Sequence, residues 1–91
     1  MRIRWSPRAL ADLHHIKAYI SQDNPGAADK VVSAIRASVR HLAQFPSIGR
    51  LGQLPDTREL VVRGTPYIVP YRVREDFVEI VAVIHGARRW P

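Results

Sequence analysis

Residues 66–74, PYIVPYRVR, decide the fold, because large apolar side chains recur at every second position, as in a strand that buries one face. The odd-numbered residues from Tyr67 to Val73 share one face, and we expect Tyr67 and Tyr71 to pack there as core residues. Pro70 lies on the other face and has no N–H to donate to a neighbouring strand. A bulge or a locally unpaired edge is therefore expected at Pro70.

Two further strands flank this one and complete a three-stranded antiparallel meander. Residues 58–63 precede it across the turn 64–66, and residues 77–85 follow it across the tight turn 75–76. Apolar residues occur on both faces of the last strand, which predicts a central, well-covered position in the sheet. Strict alternation assigns its residues to two faces: Val78, Ile80, Ala82 and Ile84 to one, and Phe77, Glu79, Val81, Val83 and His85 to the other.

Two helices are predicted before the meander, and each begins with a capping residue followed by proline. Ser6-Pro7 begins the first helix and Asn24-Pro25 the second, because a Ser or Asn side chain accepts from the free amides of the first turn. The second helix has a heptad-like apolar series, which predicts packing against the first as an antiparallel hairpin. The members of this series are Ala28, Val32, Ile35, Val39 and Leu42.

The segment 47–55 joins the hairpin to the meander and contains two glycines and a proline, so it is predicted to be a loop. Arg50 lies between Gly49 and Gly52, whose backbone freedom would hold the arginine near the sheet. The alternative is an ordinary loop with one solvated arginine.

Together with a short opening strand at Arg2–Trp5, these elements predict an α+β fold. It consists of an N-terminal strand, an antiparallel two-helix hairpin and a three-stranded antiparallel meander, with the helices on one face of a small sheet. A chain of 91 residues is expected to form a single domain, 1–91. Charged residues interrupt the first twenty positions, which excludes a signal peptide or membrane span there. With no cysteine in the chain, we expect a cytoplasmic protein.

The chain is strongly basic, with 14 Lys and Arg against 8 Asp and Glu and a formal charge of +6. Most of the basic residues are arginine, whose planar guanidinium suits phosphate and carboxylate groups. The expected partner is therefore a nucleic acid, a surface that handles one, or an acidic protein segment. The alternative for many of these arginines is simple solvation of the surface.

Histidines offer one candidate site. His14 and His15 are adjacent on a helix, so their side chains diverge by roughly 100°, and His41 lies on the other helix. No metal site and no cofactor are therefore expected. His85 comes where the last strand ends, beside Arg88 and Arg89, and this cluster is the one whose chemistry suggests a site.

Four strings in order carry a family resemblance: FPSIGR at 45–50, RELVV at 58–62, PYIVPYRV at 66–73 and VIHGARRW at 83–90. Together they resemble the ParE branch of the ParE/RelE superfamily of plasmid-stabilisation toxins over nearly the whole chain. The resemblance implies the toxin of a type II toxin–antitoxin pair, held in a hetero-oligomer by a ParD-like antitoxin. An acidic C-terminal segment of that antitoxin would fold on the toxin.

The resemblance implies two alternative activities. ParE-like members inhibit DNA gyrase by binding, whereas RelE-like members are ribosome-dependent mRNA endoribonucleases. In RelE-like members, the resemblance implies a catalytic site built mainly from cationic side chains. These are lysines on the second strand and an arginine directly after the tyrosine that opens the third strand. The matching positions here carry Glu59, Val61 and Ile68, so gyrase inhibition is the favoured expectation. If the chain were a nuclease, His85, Arg88 and Arg63 would be its catalytic residues.

Two contact surfaces are predicted. The target-binding surface consists of basic side chains and a tail aromatic: Arg63, Arg72, Arg74, Arg88, Arg89 and Trp90. The antitoxin-binding surface is an apolar stripe of the first helix: Leu13, Ile16, Tyr19 and Ile20. The alternative for this stripe is the core of the helical hairpin.

Overall fold

The computed structural model describes residues 1–88, in which two helices cover one face of a six-stranded mixed sheet. The elements are β1 (Arg2–Trp5), α1 (Pro7–Ser21), α2 (Pro25–His41), β2 (Arg50–Leu51), β3 (Arg58–Val61), β4 (Tyr67–Val73), β5 (Phe77–Ile80) and β6 (Ile84–His85). The sheet order is β1-β5-β4-β3-β2, and β6 pairs with β4 beyond the end of β5. The predicted α+β fold is confirmed. Neither helix is long and apolar enough to cross a membrane.

Both predicted helix starts are confirmed. The Ser6 hydroxyl accepts a hydrogen bond from the Ala9 amide at 3.0 Å, and the Asn24 side chain accepts one from the Ala27 amide at 3.0 Å. Each capping residue is followed by a proline, whose missing N–H has no partner in the first turn of a helix. Local sequence therefore fixes where the hairpin begins and turns.

One core joins the hairpin to the sheet. The inner stripe of α2 is buried at Ile35, Val39 and Leu42, with Val32 partly buried beside them. Tyr67, Val69 and Tyr71 of β4 face the same core. The apolar stripe of α2 and the apolar face of β4 thus pack together in one layer, as predicted.

The central position of the last strand is confirmed for its first half. β1 pairs in parallel with β5, from Arg2 opposite Phe77 to Trp5 opposite Ile80. β4 pairs with β5 in antiparallel fashion on the other side. β5 therefore lies between two strands, and the sheet is mixed.

The predicted bulge opposite Pro70 is present, and it corrects the expected last strand. Two residues of β4 separate the pairs Tyr71–Ile80 and Ile68–Ile84, whereas three residues, 81–83, separate them on the other strand. The extra residue divides 77–85 into β5 and β6. Because Pro70 has no N–H, it can only accept hydrogen bonds, and its carbonyl accepts one from the Val81 amide at 2.9 Å.

The bulge also overturns the face assignment beyond Ile80. Val78 and Ile80 lie in the main core, as predicted, but Ala82 and Ile84 lie on the opposite face in a small cluster with Ile68. Val83 lies in the main core instead. One inserted residue reverses the alternation of every residue that follows it, because side chains on a strand alternate with a period of two.

The segment 47–55 is not a loop throughout, because Arg50 and Leu51 form β2 at the edge of the sheet. Arg50 pairs with Glu59 in the strand register, and its guanidinium lies 3.1 Å from the Glu59 carboxylate. The expectation that Arg50 lies near the sheet is thereby confirmed, although its side chain is 60% exposed.

Tyr71 anchors the chain that leads into β2. Its hydroxyl donates to the Pro46 carbonyl at 2.7 Å and accepts from the Gly49 amide at 2.9 Å. A Cβ at Gly49 would lie 2.6 Å from that hydroxyl oxygen, so only glycine lets the backbone approach the ring this closely. One core tyrosine therefore fixes the position of a surface segment.

Candidate functional site

A polar cleft of about 420 Å³ lies between α1 and the end of the last strand. The helix contributes Arg8, Asp12, His15, Ile16 and Tyr19, and the sheet side contributes Tyr67, Val83, Ile84, His85 and Arg88. The volume is within the range of ordinary ligand sites, roughly 300–1,000 Å³. The bulge forms this cleft, because it turns Val83 and His85 toward the helices.

An aromatic pair forms the sheet side of the cleft. Tyr67 and His85 lie directly opposite each other on β4 and β6, with ring centroids 5.7 Å apart and planes at 77°. Such an edge-to-face contact holds the imidazole against the tyrosine ring. Burial raises the pKa of Tyr67 above 10.0, so its hydroxyl stays protonated at neutral pH.

The backbone after β6 fixes the imidazole further. The Nδ1 atom of His85 accepts from the Ala87 amide at 3.1 Å, and the His85 carbonyl accepts from the Arg88 amide at 3.0 Å. A neutral imidazole that accepts at Nδ1 carries its proton on Nε2. This turn also holds Arg88 beside His85, so the structure brings together two members of the predicted cluster.

Asp12 is the acidic residue of the cleft lining, and it is already engaged. One of its carboxylate oxygens accepts from the Val83 amide at 2.9 Å and lies 3.5 Å from the Arg8 guanidinium. The lining therefore contains two arginines, Arg8 and Arg88, against this one carboxylate. Such a lining favours an anionic ligand group.

The positions that match the RelE cations lie on the opposite face of the sheet. Glu59 is opposite Pro70, and Ile68 packs in the small second cluster. Glu59 is only 5% exposed and binds Arg50 through one carboxylate oxygen, while its other oxygen has no hydrogen-bond partner. The sheet therefore separates these positions from His85.

The predicted target-binding surface is divided into two parts. Arg72 and Arg74 share the carboxylate of Glu79, at 4.0 and 3.3 Å, near the far end of β4. Arg63 is exposed at the turn before Tyr67, and Arg88 lies at the cleft. β4 spans seven residues, or roughly 20 Å, between these parts. Arg89 and Trp90 lie outside the described residues.

The predicted antitoxin stripe lies largely in the core. Leu13 and Ile16 are buried, as the alternative interpretation has it, and Ile16 also lines the cleft. Tyr19 is 72% exposed and Ile20 is partly buried. Contact with an antitoxin stays a prediction for Tyr19 and Ile20.

Sequence reasoning missed the helical wall of the cleft. Arg8, Asp12, His15 and Tyr19 are spaced by four, three and four residues, so they form one stripe along α1. That spacing was the available signal for a shared face, although a polar face alone is typical of any surface helix. Within residues 1–88, no three His, Asp or Glu side chains are grouped to hold a metal ion.

Comparison with known proteins gives concordant results. Residues 3–90 match the family described as ParE toxin of type II toxin-antitoxin system, parDE. The chain is 50% identical to the putative toxin Y4kP of Sinorhizobium fredii over 99% of this chain and 93% of that protein. It is 40% identical to toxin RelE2 of Caulobacter vibrioides over 96% of this chain and 97% of that protein.

Solved structures agree with these sequence relatives. A chain of the chromosomal ParDE system from P. aeruginosa superposes with a TM-score of 0.85 at 30% identity, over 93% of this chain and 95% of that one. A chain of the E. coli RelBE complex superposes with a TM-score of 0.71 at 18% identity, over 96% and 98%. The second likeness is one of fold.

Proposed function

We propose that this chain, which belongs to the ParE toxin family of type II toxin–antitoxin systems, acts by binding DNA gyrase and does not cut RNA. Cleavage through a 2′-hydroxyl requires a base, an acid and cations that stabilise the pentacovalent phosphate. The observation that carries the proposal is the face of β3 and β4 around Glu59. The positions there that match the RelE cations carry a buried carboxylate, Glu59, and the aliphatic residues Val61 and Ile68.

Electrostatics favour this reading of the Glu59 face. A carboxylate beside the dianionic pentacovalent phosphate raises the energy of the transition state. The ion pair with Glu59 also reduces what the nearby Arg50 could contribute to stabilising that charge. Ile68 cannot donate a hydrogen bond to phosphate. A binding inhibitor needs neither group, because it needs only a complementary surface.

The proposed surface is the basic end of the sheet. Arg63 and Arg88 are exposed there, and the charge of +6 favours a partner surface that presents acidic groups. A ParD-like antitoxin with an acidic segment would neutralise the toxin in a hetero-oligomer. Gyrase works on the chromosome, so the proposed site of action is the cytoplasm.

Two assays on the purified chain test the proposal. The first follows supercoiling of relaxed plasmid by gyrase, and the second follows messenger integrity in a reconstituted translation reaction by primer extension. We expect loss of supercoiling at increasing toxin concentration, with the messenger intact. Codon-specific cleavage on the ribosome, with gyrase unaffected, would refute the proposal.

The second candidate function is a ribosome-dependent nuclease, and one observation favours it. His85 and Arg88 meet in the cleft with His15, so an acid–base pair beside cations is available on the helix side of the sheet. In that case His85→Ala or Arg88→Ala removes cleavage. His14→Ala is the matched control, because His14 is an exposed neighbour outside the cleft lining.

A further inference from the structure

Three large apolar side chains are exposed on residues 45–51, which we call the anchored segment. Phe45 and Ile48 are each 54% exposed, and Leu51 is 80% exposed. Phe45 and Ile48 lie three residues apart in a turn, in which the Ile48 amide donates to the Phe45 carbonyl at 3.3 Å. A group of exposed apolar side chains on a folded surface marks a candidate protein contact.

The sheet holds the backbone beneath these side chains in place. The Tyr71 hydroxyl bonds the backbone at Pro46 and Gly49, as described above. The Arg58 guanidinium donates to the Ser47 carbonyl at 3.2 Å and to the Gly49 carbonyl at 2.8 Å. Two side chains from two strands therefore fix the segment before any partner binds. A fixed backbone lowers the entropy cost of docking, and it suits a partner that is itself folded.

The stretch of chain that contains the anchored segment is basic throughout. Residues 30–55 include no Asp or Glu, but they include four basic residues: Lys30, Arg36, Arg40 and Arg50. This stretch therefore has a formal charge of +4, in a chain whose total is +6. All four side chains are exposed. A surface with this charge attracts a partner that presents carboxylates.

The last turn of α2 connects these charges to the exposed apolar side chains. The Phe45 amide donates to the His41 carbonyl at 2.9 Å, so Phe45 lies within one turn of the helix end. Arg40 and His41 are exposed at that end. Near the other end of the anchored segment, Arg50 is 60% exposed, whereas its partner Glu59 is buried. The apolar group thus has basic neighbours at both ends, as in a protein interface with an apolar centre and a polar rim.

We propose that the anchored segment and the last turn of α2 form a second docking surface for gyrase, in addition to the basic end of the sheet. The inference rests on the proposed function and deepens it, because it states which chemistry the target presents. That target surface is folded, and it has an apolar depression with carboxylates around it. Nucleic acid offers no apolar depression for the three exposed side chains, so the surface favours a protein.

Ile48→Ser and Leu51→Ser test the apolar part of the surface. The measurement is the dissociation constant of the full-length toxin for purified gyrase, by surface plasmon resonance. Each substitution removes an apolar contact, so we expect the constant to rise at least tenfold. Both side chains are more than half exposed, and thermal unfolding confirms that each variant is folded. Leu10→Ser is the matched control, because Leu10 is 41% exposed on α1, and we expect a change of less than twofold.

Arg40→Glu tests the charge of the surface in the same assay. We expect the dissociation constant to rise at least fivefold at low salt, and the effect to shrink as salt screens the charges. Lys17→Glu is the matched control, because it reverses the same charge on α1, where Lys17 is 57% exposed. We expect it to change the constant less than twofold.

The outcomes separate this surface from the proposed function. Wild-type affinity of Ile48→Ser and Leu51→Ser overturns the docking surface, and wild-type affinity of Arg40→Glu overturns the acidic character of the partner. Either result leaves gyrase inhibition by the wild-type chain standing. If the wild-type chain does not bind gyrase, both proposals fail. If the same variants lose affinity for the antitoxin and keep it for gyrase, the surface belongs to the antitoxin and the inference is overturned.

Discussion

Replacing Tyr71 by phenylalanine tests how the core positions the segment that leads into β2. The substitution keeps the buried ring and removes only the hydroxyl that bonds Pro46 and Gly49. Losing the hydrogen bond to the Pro46 carbonyl costs about 1 kcal/mol, and leaving the buried Gly49 amide without a partner costs roughly 1–3 kcal/mol. The free energy of unfolding should therefore fall by about 2–4 kcal/mol.

This loss is large for a chain of this size. Domains of this length have free energies of unfolding of roughly 5–13 kcal/mol. A loss of about 2–4 kcal/mol lowers the melting temperature by roughly 10–30 °C. Urea denaturation followed by circular dichroism gives the free energy, and a thermal scan gives the melting temperature.

Tyr19→Phe is the matched control, because it removes the same atom from an exposed ring. Its free energy of unfolding should stay within about 0.5 kcal/mol of the wild-type value. If Tyr71→Phe is as stable as this control, the hydroxyl does not hold the segment, and the account of Gly49 and Pro46 is wrong.

Two further predictions concern the same packing and the buried tyrosines. Gly49→Ala places a Cβ 2.6 Å from the Tyr71 hydroxyl oxygen and should cost about 1–3 kcal/mol of unfolding free energy, measured in urea. Gly26→Ala, whose Cβ would meet its nearest atom at 3.5 Å, should cost nothing, so equal losses would contradict this reasoning. Burial raises the pKa of Tyr67 and Tyr71 above 10.0, so the folded state holds its protons more tightly and stability should fall as pH rises above 10.0. Urea midpoints measured from pH 8 upward check this, and an unchanged midpoint above pH 10.0 would show that the two hydroxyls are not buried.

Local signals in the sequence were enough for most of the fold. Ser6-Pro7 and Asn24-Pro25 gave both helix starts, because capping depends on residues within one turn. β2 could not be found in this way. Its pairing with β3 depends on Arg50 meeting Glu59, a contact between segments that no periodicity within two residues can reveal.

The candidate site was harder to predict than the fold. His85 and Arg88 were found because they are close in sequence, whereas Arg8, Asp12 and His15 join them only through the packing of α1. The antitoxin stripe was misleading for a related reason. Helical spacing shows that Leu13 and Ile16 share a face, but not whether this chain or a partner covers that face.

The bulge opposite Pro70 determines which face of the sheet each later residue of the last strand occupies. A variant that lacks Ala82 would have equal numbers of residues on both strands, so His85 would rotate to the face that carries Glu59 and Ile68. His85 would then leave the cleft, while Arg8, Asp12 and His15 of α1 would stay in place. The gain or loss of one residue at this point therefore decides which face of the sheet carries the histidine.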